Sequence, residues 1–176
     1  MSWAFGRQTP DNNLMRFVAR RFPHPVTMLD IGSGEGANAR ELREPPPYGR
    51  GHQVITVDKD PNVICNHPCD IRDFNPTWRE GVPYDLVYDI NTLCHVENPP
   101  FEKIKSWLKP TGIFFSICPS DFTFKGVAKG KEFTRFLTEF EARQFYGAYF
   151  KVTIGDTHYQ LPHDELYQSW IIEACP

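Results

Sequence analysis

Leu29-Asp30-Ile31-Gly32-Ser33-Gly34-Glu35-Gly36-Ala37-Asn38 sets three glycines at alternate positions directly behind an apolar run, residues 26–31. A short, nearly continuous apolar run that stops at glycine is the pattern of a strand buried on both faces. Residues 35–43 then read as a helix ended by prolines. A strand-to-helix turn without Cβ atoms lets a ligand touch the backbone, at the carboxyl edge where open α/β sheets bind their ligands. The alternative is a tight turn that binds nothing. The dinucleotide fingerprint G-x-G-x-x-G would place its third glycine at Ala37, where alanine is a permitted variant, but it uses no acid at the position of Asp30. NAD is the weaker fit.

On either side of this turn the same pattern repeats. Residues 12–22 place Leu14, Phe17 and Val18 on one helical face and Arg16, Arg20 and Arg21 towards the other, with Asn12 as the expected cap. Residues 54–58, 84–90 and 112–118 are further buried-strand runs, and residues 101–108 read as a helix with Pro110 just beyond it. Strands alternating with helices predict a parallel sheet covered on both faces. The C-terminal third differs. Residues 138–149 read as a helix with Thr138 at the N-cap and Glu141 three residues on, a capping box. Residues 150–154 and 166–173 then read as two strands with no helix between them, so an antiparallel hairpin closes the sheet. Residues 44–49 are a proline-rich loop, and residues 119–137, aromatic, basic and without period, read as a substrate-facing loop.

One domain accommodates all 176 residues, with 1–24 as a short N-terminal cap. Hydrophobic residues at 40% against 23% charged are enough for a packed core, which excludes general disorder. Neither a membrane-length apolar run nor a secretory leader is visible, which points to the cytoplasm. Nineteen basic against 22 acidic residues give a net charge of −3, which supplies no global attraction to nucleic acid. The five cysteines are scattered and odd in number, so reduced thiols are expected. Cys65-Asn66-His67-Pro68-Cys69 groups three metal-capable side chains but lacks the second ligand pair of a zinc motif, and no metal is expected.

Chemistry-bearing residues gather at the predicted strand ends. Asp58 closes the second strand, where a carboxylate accepts both hydroxyls of a ribose laid over the glycine turn; a solvated strand-end acid is the alternative. Asp70 follows a short third segment and is placed to accept from an adenine amino group, with Ile71 covering the ring. Asp73 competes for that role, and either acid serves equally as a turn former.

These residues resemble the class I S-adenosylmethionine-dependent methyltransferases from about Thr27 to the C-terminus. The resemblance rests on the glycine motif, Asp58, Asp70-Ile71, Tyr84-Asp85-Leu86-Val87, Leu93-Cys94-His95-Val96-Glu97-Asn98-Pro99 and Leu108-Lys109-Pro110-Thr111-Gly112. It is similar to the small-molecule branch that includes the ubiquinone-biosynthesis and tellurite-resistance enzymes. It implies a Rossmann-like α/β domain with about seven strands, the last one antiparallel. It also implies S-adenosylmethionine held by Asp30, Gly32, Ser33, Gly34, Gly36, Asp58, Lys59, Asp70, Ile71, Asp89 and Asn91. On that reading Asp30 steadies the turn and reaches the methionine amine, while the Asp89 carbonyl and Asn91 side chain lie beside the sulfonium. One departure stands out. Only ten residues separate Asp58 from Cys69, where the family inserts a helix and a third strand, so an abbreviated sheet edge is expected.

Methyl transfer needs an in-line nucleophile and, for a protonated one, a proton acceptor. His95, one turn beyond the fourth strand, is the general-base candidate; packing or capping is its alternative role. Asn98-Pro99-Pro100-Phe101 matches the Asn-Pro-Pro-aromatic signature of nucleic-acid amino methyltransferases, but begins eight residues after Ile90 rather than at the strand end. Prolines opening a helix explain it better. Lys125, Lys129, Lys131 and Arg135, interleaved with Phe122, Phe124, Phe133 and Phe136, form a basic patch suited to an anionic metabolite. The expected activity is methyl transfer to a small anionic or aromatic acceptor, without a membrane and with nucleic acid disfavoured. The competing readings are a non-catalytic S-adenosylmethionine-binding regulator, a nicotinamide-dependent oxidoreductase and a nucleic-acid methyltransferase.

Overall fold

The computed structural model describes residues 9–45, 51–77, 83–121, 135–160 and 166–176. Its strands are β1 (Thr27–Ile31), β2 (Gln53–Asp58), β3 (His67–Pro68), β4 (Tyr84–Ile90), β5 (Leu108–Pro119), β6 (Lys151–Gln160) and β7 (Leu166–Cys175). Its α-helices are α1 (Asn12–Arg21), α2 (Ala37–Arg43), α3 (Phe101–Trp107) and α4 (Glu139–Gly147). They form one seven-stranded sheet in the order β3-β2-β1-β4-β5-β7-β6. The pairings from β3 to β5 are parallel, and β7 enters antiparallel between β5 and β6. The expected α/β architecture, with its antiparallel C-terminal hairpin, is what the chain adopts.

Period-2 alternation divides the core between the faces. Met28, Val54, Leu86, Tyr88, Phe115 and Ile117 pack with Leu14, Phe17 and Val18 of α1 and Leu42 of α2. Leu29, Ile31, Val57, Val87, Phe114 and Ile172 pack on the other face with α3 and α4. There Phe101 contacts Phe145, Tyr146 and Tyr149 at centroid distances of 5.0, 5.3 and 5.2 Å. This aromatic wall seats Tyr146 of α4 against Phe114 of β5, which matters for the site.

Local chemistry explains where predicted boundaries moved. Asp11, not Asn12, caps α1: its carboxylate accepts from the N–H groups of Asn13 and Leu14. The second helix begins at Ala37 rather than at residue 35, because Gly36 holds the left-handed cap position. β5 starts at Leu108, directly after α3, and shifts register past Tyr84 before pairing continuously with β4. The hairpin strands extend to ten residues each. The capping box at Thr138 and Glu141 forms in both directions, and Pro100 stands at the N-cap of α3, as a helix-opening proline should. The third strand is two residues long, the abbreviated edge that its short spacing predicted.

Candidate active site

The glycine turn is built against β2. Gly32 and Ser33 both donate to the Val57 carbonyl, at 2.8 and 3.3 Å, and all three glycines take positive φ, +68°, +51° and +74°. The three serve different ends. Gly32 is packed against the Thr92 side chain, Gly36 supplies the left-handed residue that starts α2, and Gly34 alone faces open space, with no atom within 4 Å of where a Cβ would stand. The turn therefore contains a bare, unfilled cradle at its centre.

Asp58 anchors that cradle. Its Oδ2 accepts from the Gly34 N–H at 2.8 Å and its Oδ1 from the Asp60 N–H at 2.9 Å. Each carboxylate oxygen keeps a second acceptor site. Lys59 beside it is exposed.

Two further acids lie beneath the edge. Asp30, 2% exposed, is in side-chain hydrogen-bonding reach of Tyr88. Burial drives its pKa from 3.8 up to about 7, only partly offset by Tyr88, with the Asp89 and Asp58 charges adding to the rise. Asp89 is fully buried; its Oδ1 accepts from the N–H groups of Thr92 and Leu93 at 2.8 and 2.9 Å, and its Oδ2 from Ser116 Oγ at 2.8 Å. Burial lifts it to about 6 against those donors. Asn91, at φ +57°, leaves its Oδ1 buried without a partner, as does Ser33 with its Oγ. Positive φ at a residue other than glycine is uncommon and marks a locally determined turn.

The outer residues are placed differently from the central ones. Asp70 forms a two-point ion pair with Arg72, Oδ1 to Nε at 2.9 Å and Oδ2 to Nη2 at 2.7 Å, and caps the Arg72 N–H. That guanidinium holds the carboxyl down to about 2. Ile71 is buried in the core with Val57 and Phe74. His95 ends a 3₁₀ turn, Leu93–His95, and is partly buried. The basic patch divides: Lys125, Lys129 and Lys131 lie outside the described residues, whereas Arg135 donates to the carbonyls of Val96 and Glu97 and stacks over Phe145 at 4.2 Å. Arg135 is thus tied to the protein rather than held out towards a ligand. His67 packs edge-on against Phe74, and among the described residues no group of acids, histidines or cysteines is arranged to hold a metal. No helix among them is long and apolar enough to cross a membrane.

Sequence reasoning missed Thr92, Ser116, Tyr88 and Tyr146. Ser116 carried a readable signal, one hydroxyl inside the apolar run of β5; Thr92 carried none, because its role depends on a turn 60 residues away.

The family described as a methyltransferase domain matches residues 3–169. The chain belongs to that family. This methyltransferase is an enzyme of the S-adenosylmethionine-dependent class, and the nicotinamide reading falls away. No curated protein matches it by sequence. Among solved structures it is similar to the 1,6-didemethyltoxoflavin-N1-methyltransferase of Burkholderia thailandensis, which contains S-adenosylhomocysteine. The TM-score is 0.69 and the identity 17%, over 93% of this chain and 77% of that one. A phosphoethanolamine N-methyltransferase of Haemonchus contortus, in complex with S-adenosylmethionine, gives a TM-score of 0.66 at 16% identity, over 99% of this chain and 55% of that one. A methyltransferase of Methanosarcina mazei gives 0.64 at 14% identity, over 90% and 96%.

Proposed function

We propose that this methyltransferase moves the methyl group of S-adenosylmethionine onto a small anionic or aromatic acceptor, bound over the crevice between Gly32–Gly36 and residues 89–95. The observation that carries the reading is the pair of buried oxygens left without partners at that edge, Ser33 Oγ and Asn91 Oδ1, beside the open cradle at Gly34. A buried polar atom without a partner costs about 1–3 kcal/mol, so two at one place fit a site completed by a polar ligand.

The residues fit the cofactor. The bare backbone at Gly34 admits close approach, the free acceptor sites of Asp58 suit two adjacent ribose hydroxyls, and Asn91 and Asp30 offer acceptors for the methionine end. Asp70 keeps acceptor capacity for an adenine amino group even while paired with Arg72. When bound, S-adenosylmethionine supplies an already activated methyl carbon. The chain's own part is to align the acceptor, exclude water and, through His95, take up a proton from a protonated nucleophile. The similarity to the 1,6-didemethyltoxoflavin-N1-methyltransferase and to the phosphoethanolamine N-methyltransferase supports, respectively, an aromatic and an anionic acceptor.

Isothermal titration with S-adenosylhomocysteine and with NAD tests the cofactor, with saturable binding expected only for the first. Transfer of a labelled methyl group into a metabolite extract, compared with RNA and DNA, tests the acceptor. Label appearing only in nucleic acid would replace the small-molecule reading, and label appearing nowhere would favour a binding protein without catalysis.

A further inference from the structure

Two adjacent residues of α4 reach the segment after β4 by two separate routes. From Tyr146, a buried line of contacts runs from its hydroxyl to Ser116 Oγ at 3.1 Å, from Ser116 Oγ to Asp89 Oδ2 at 2.8 Å, and from Asp89 Oδ1 to the N–H groups of Thr92 and Leu93. From Phe145, the ring carries the Arg135 guanidinium, whose N–H groups reach the carbonyls of Val96 and Glu97 at 3.3 and 2.9 Å, while the Arg135 backbone N–H reaches Cys94 O at 2.8 Å. The donors at the front of the segment and the acceptors at its back are both engaged, and His95 lies between them.

The first line is dry. Asp89 and Ser116 are 0% exposed and Tyr146 1%. With water excluded, hydrogen bonds in such a network are strong and the loss of any member is felt by the rest. Removing the Ser116 hydroxyl takes away a donor to a carboxylate that burial already disfavours, which weakens its hold on both amides. Thr92 follows the turn, and Thr92 is the side chain that fills the space beneath Gly32.

We propose that Ser116, Tyr146 and Arg135 are positioning residues for methyl transfer, holding residues 91–97 against the glycine turn from α4. The proposal rests on the reading of the crevice as the cofactor site. Their chemistry differs: the hydroxyls act through Asp89, whereas Arg135 uses the planar fork that lets one side chain serve two carbonyls, which lysine does not reproduce.

Hydrogen-exchange mass spectrometry and S-adenosylhomocysteine calorimetry on the full chain test this in Ser116→Ala, Ser116→Thr, Tyr146→Phe and Arg135→Lys. Faster exchange confined to residues 91–97 is expected in the alanine, phenylalanine and lysine variants, with α1 and β2 unchanged. Affinity should fall about two- to tenfold, the effect of one hydrogen bond, and Ser116→Thr should restore both readouts. Unmoved exchange at 91–97, loosening spread evenly over the sheet, or a loosened segment with unchanged affinity would each overturn the proposal. Should Ser116→Ala fail to fold, Tyr146→Phe and Arg135→Lys decide. A wild-type chain that does not bind S-adenosylhomocysteine removes the cofactor reading and this proposal together; a wild type that binds, with unaltered variants, removes this proposal alone.

Discussion

A Cβ atom on Gly32 would stand 2.1 Å from Thr92 Oγ1 and 2.3 Å from Thr92 Cγ2, so a neighbouring side chain alone already requires glycine at the start of the turn. Gly34 meets nothing. The two positions should therefore fail differently. Gly32→Ala is expected to lower stability by about 2 kcal/mol or more through displacement of Thr92 and positive-φ strain. Gly34→Ala should cost only the backbone strain, about 1–2 kcal/mol. Gly34→Val should leave a folded chain that no longer binds S-adenosylhomocysteine. Thermal denaturation beside calorimetry checks the ranking; a Gly34→Val chain with native affinity would show that the cradle holds no ligand.

Asp58 accepts from the backbone of Gly34 and Asp60, and on the proposed reading it also receives the ribose. Asp58→Ala is expected to weaken S-adenosylhomocysteine by about 1–3 kcal/mol. Asp58→Asn, which keeps one acceptor, should fall between alanine and wild type. Equal affinity in all three would leave Asp58 as a turn residue only.

Stability should fall as pH rises through the range in which the buried acids ionise. Asp30 shifts from 3.8 in the unfolded chain to about 7 in the folded one, and Asp89 to about 6. Between those limits the folded state binds more protons than the unfolded state, so the stabilisation is complete below about 4 and is lost as pH climbs towards 7. Asp70, held down to about 2, acts only below this window, where falling pH removes its contribution. Asp30→Asn should flatten the slope by roughly 2–4 kcal/mol across the window. Urea titrations at pH 5 and pH 7.5 measure it, and a wild-type chain more stable at the higher pH would contradict the assignment.

His95→Ala should separate binding from turnover. Affinity for S-adenosylhomocysteine is expected to stay within about twofold, while labelled methyl transfer falls by about 10²-fold or more if a proton is removed from the acceptor. Native transfer rates in this variant would return His95 to a packing role.

The sheet was legible because its evidence is periodic and local. Buried runs, the glycine spacing and the capping box at Thr138 each need only a few adjacent residues, and the ten-residue gap before Cys69 foretold the abbreviated third strand. What escaped notice depends on contacts between distant positions. Arg135 looked like one more loop cation although its guanidinium closes on the carbonyls of Val96 and Glu97, 39 and 38 residues earlier, and even the Asp70–Arg72 pair, two residues apart, needs the folded turn to close. Asp11 displaced Asn12 as the helix cap because both residue types suit that place and only the backbone turn selects between them.

The two-residue β3 leaves most of β2 at the margin of the sheet, and Asn66 finishes that margin. Its Oδ1 accepts from the Thr56 N–H at 3.0 Å, from Thr56 Oγ1 at 2.9 Å and from Arg43 Nη2 at 3.1 Å, while its own N–H donates to Thr56 Oγ1 at 2.9 Å. One amide side chain stands in for a missing rung and occupies edge groups that a foreign strand would otherwise pair with. The opposite margin, β6, turns exposed Lys151 and Asp156 outward, where a docking strand would have to bury their charge. The chain has dispensed with a helix and most of a strand and still engages part of the exposed border through its own side chains.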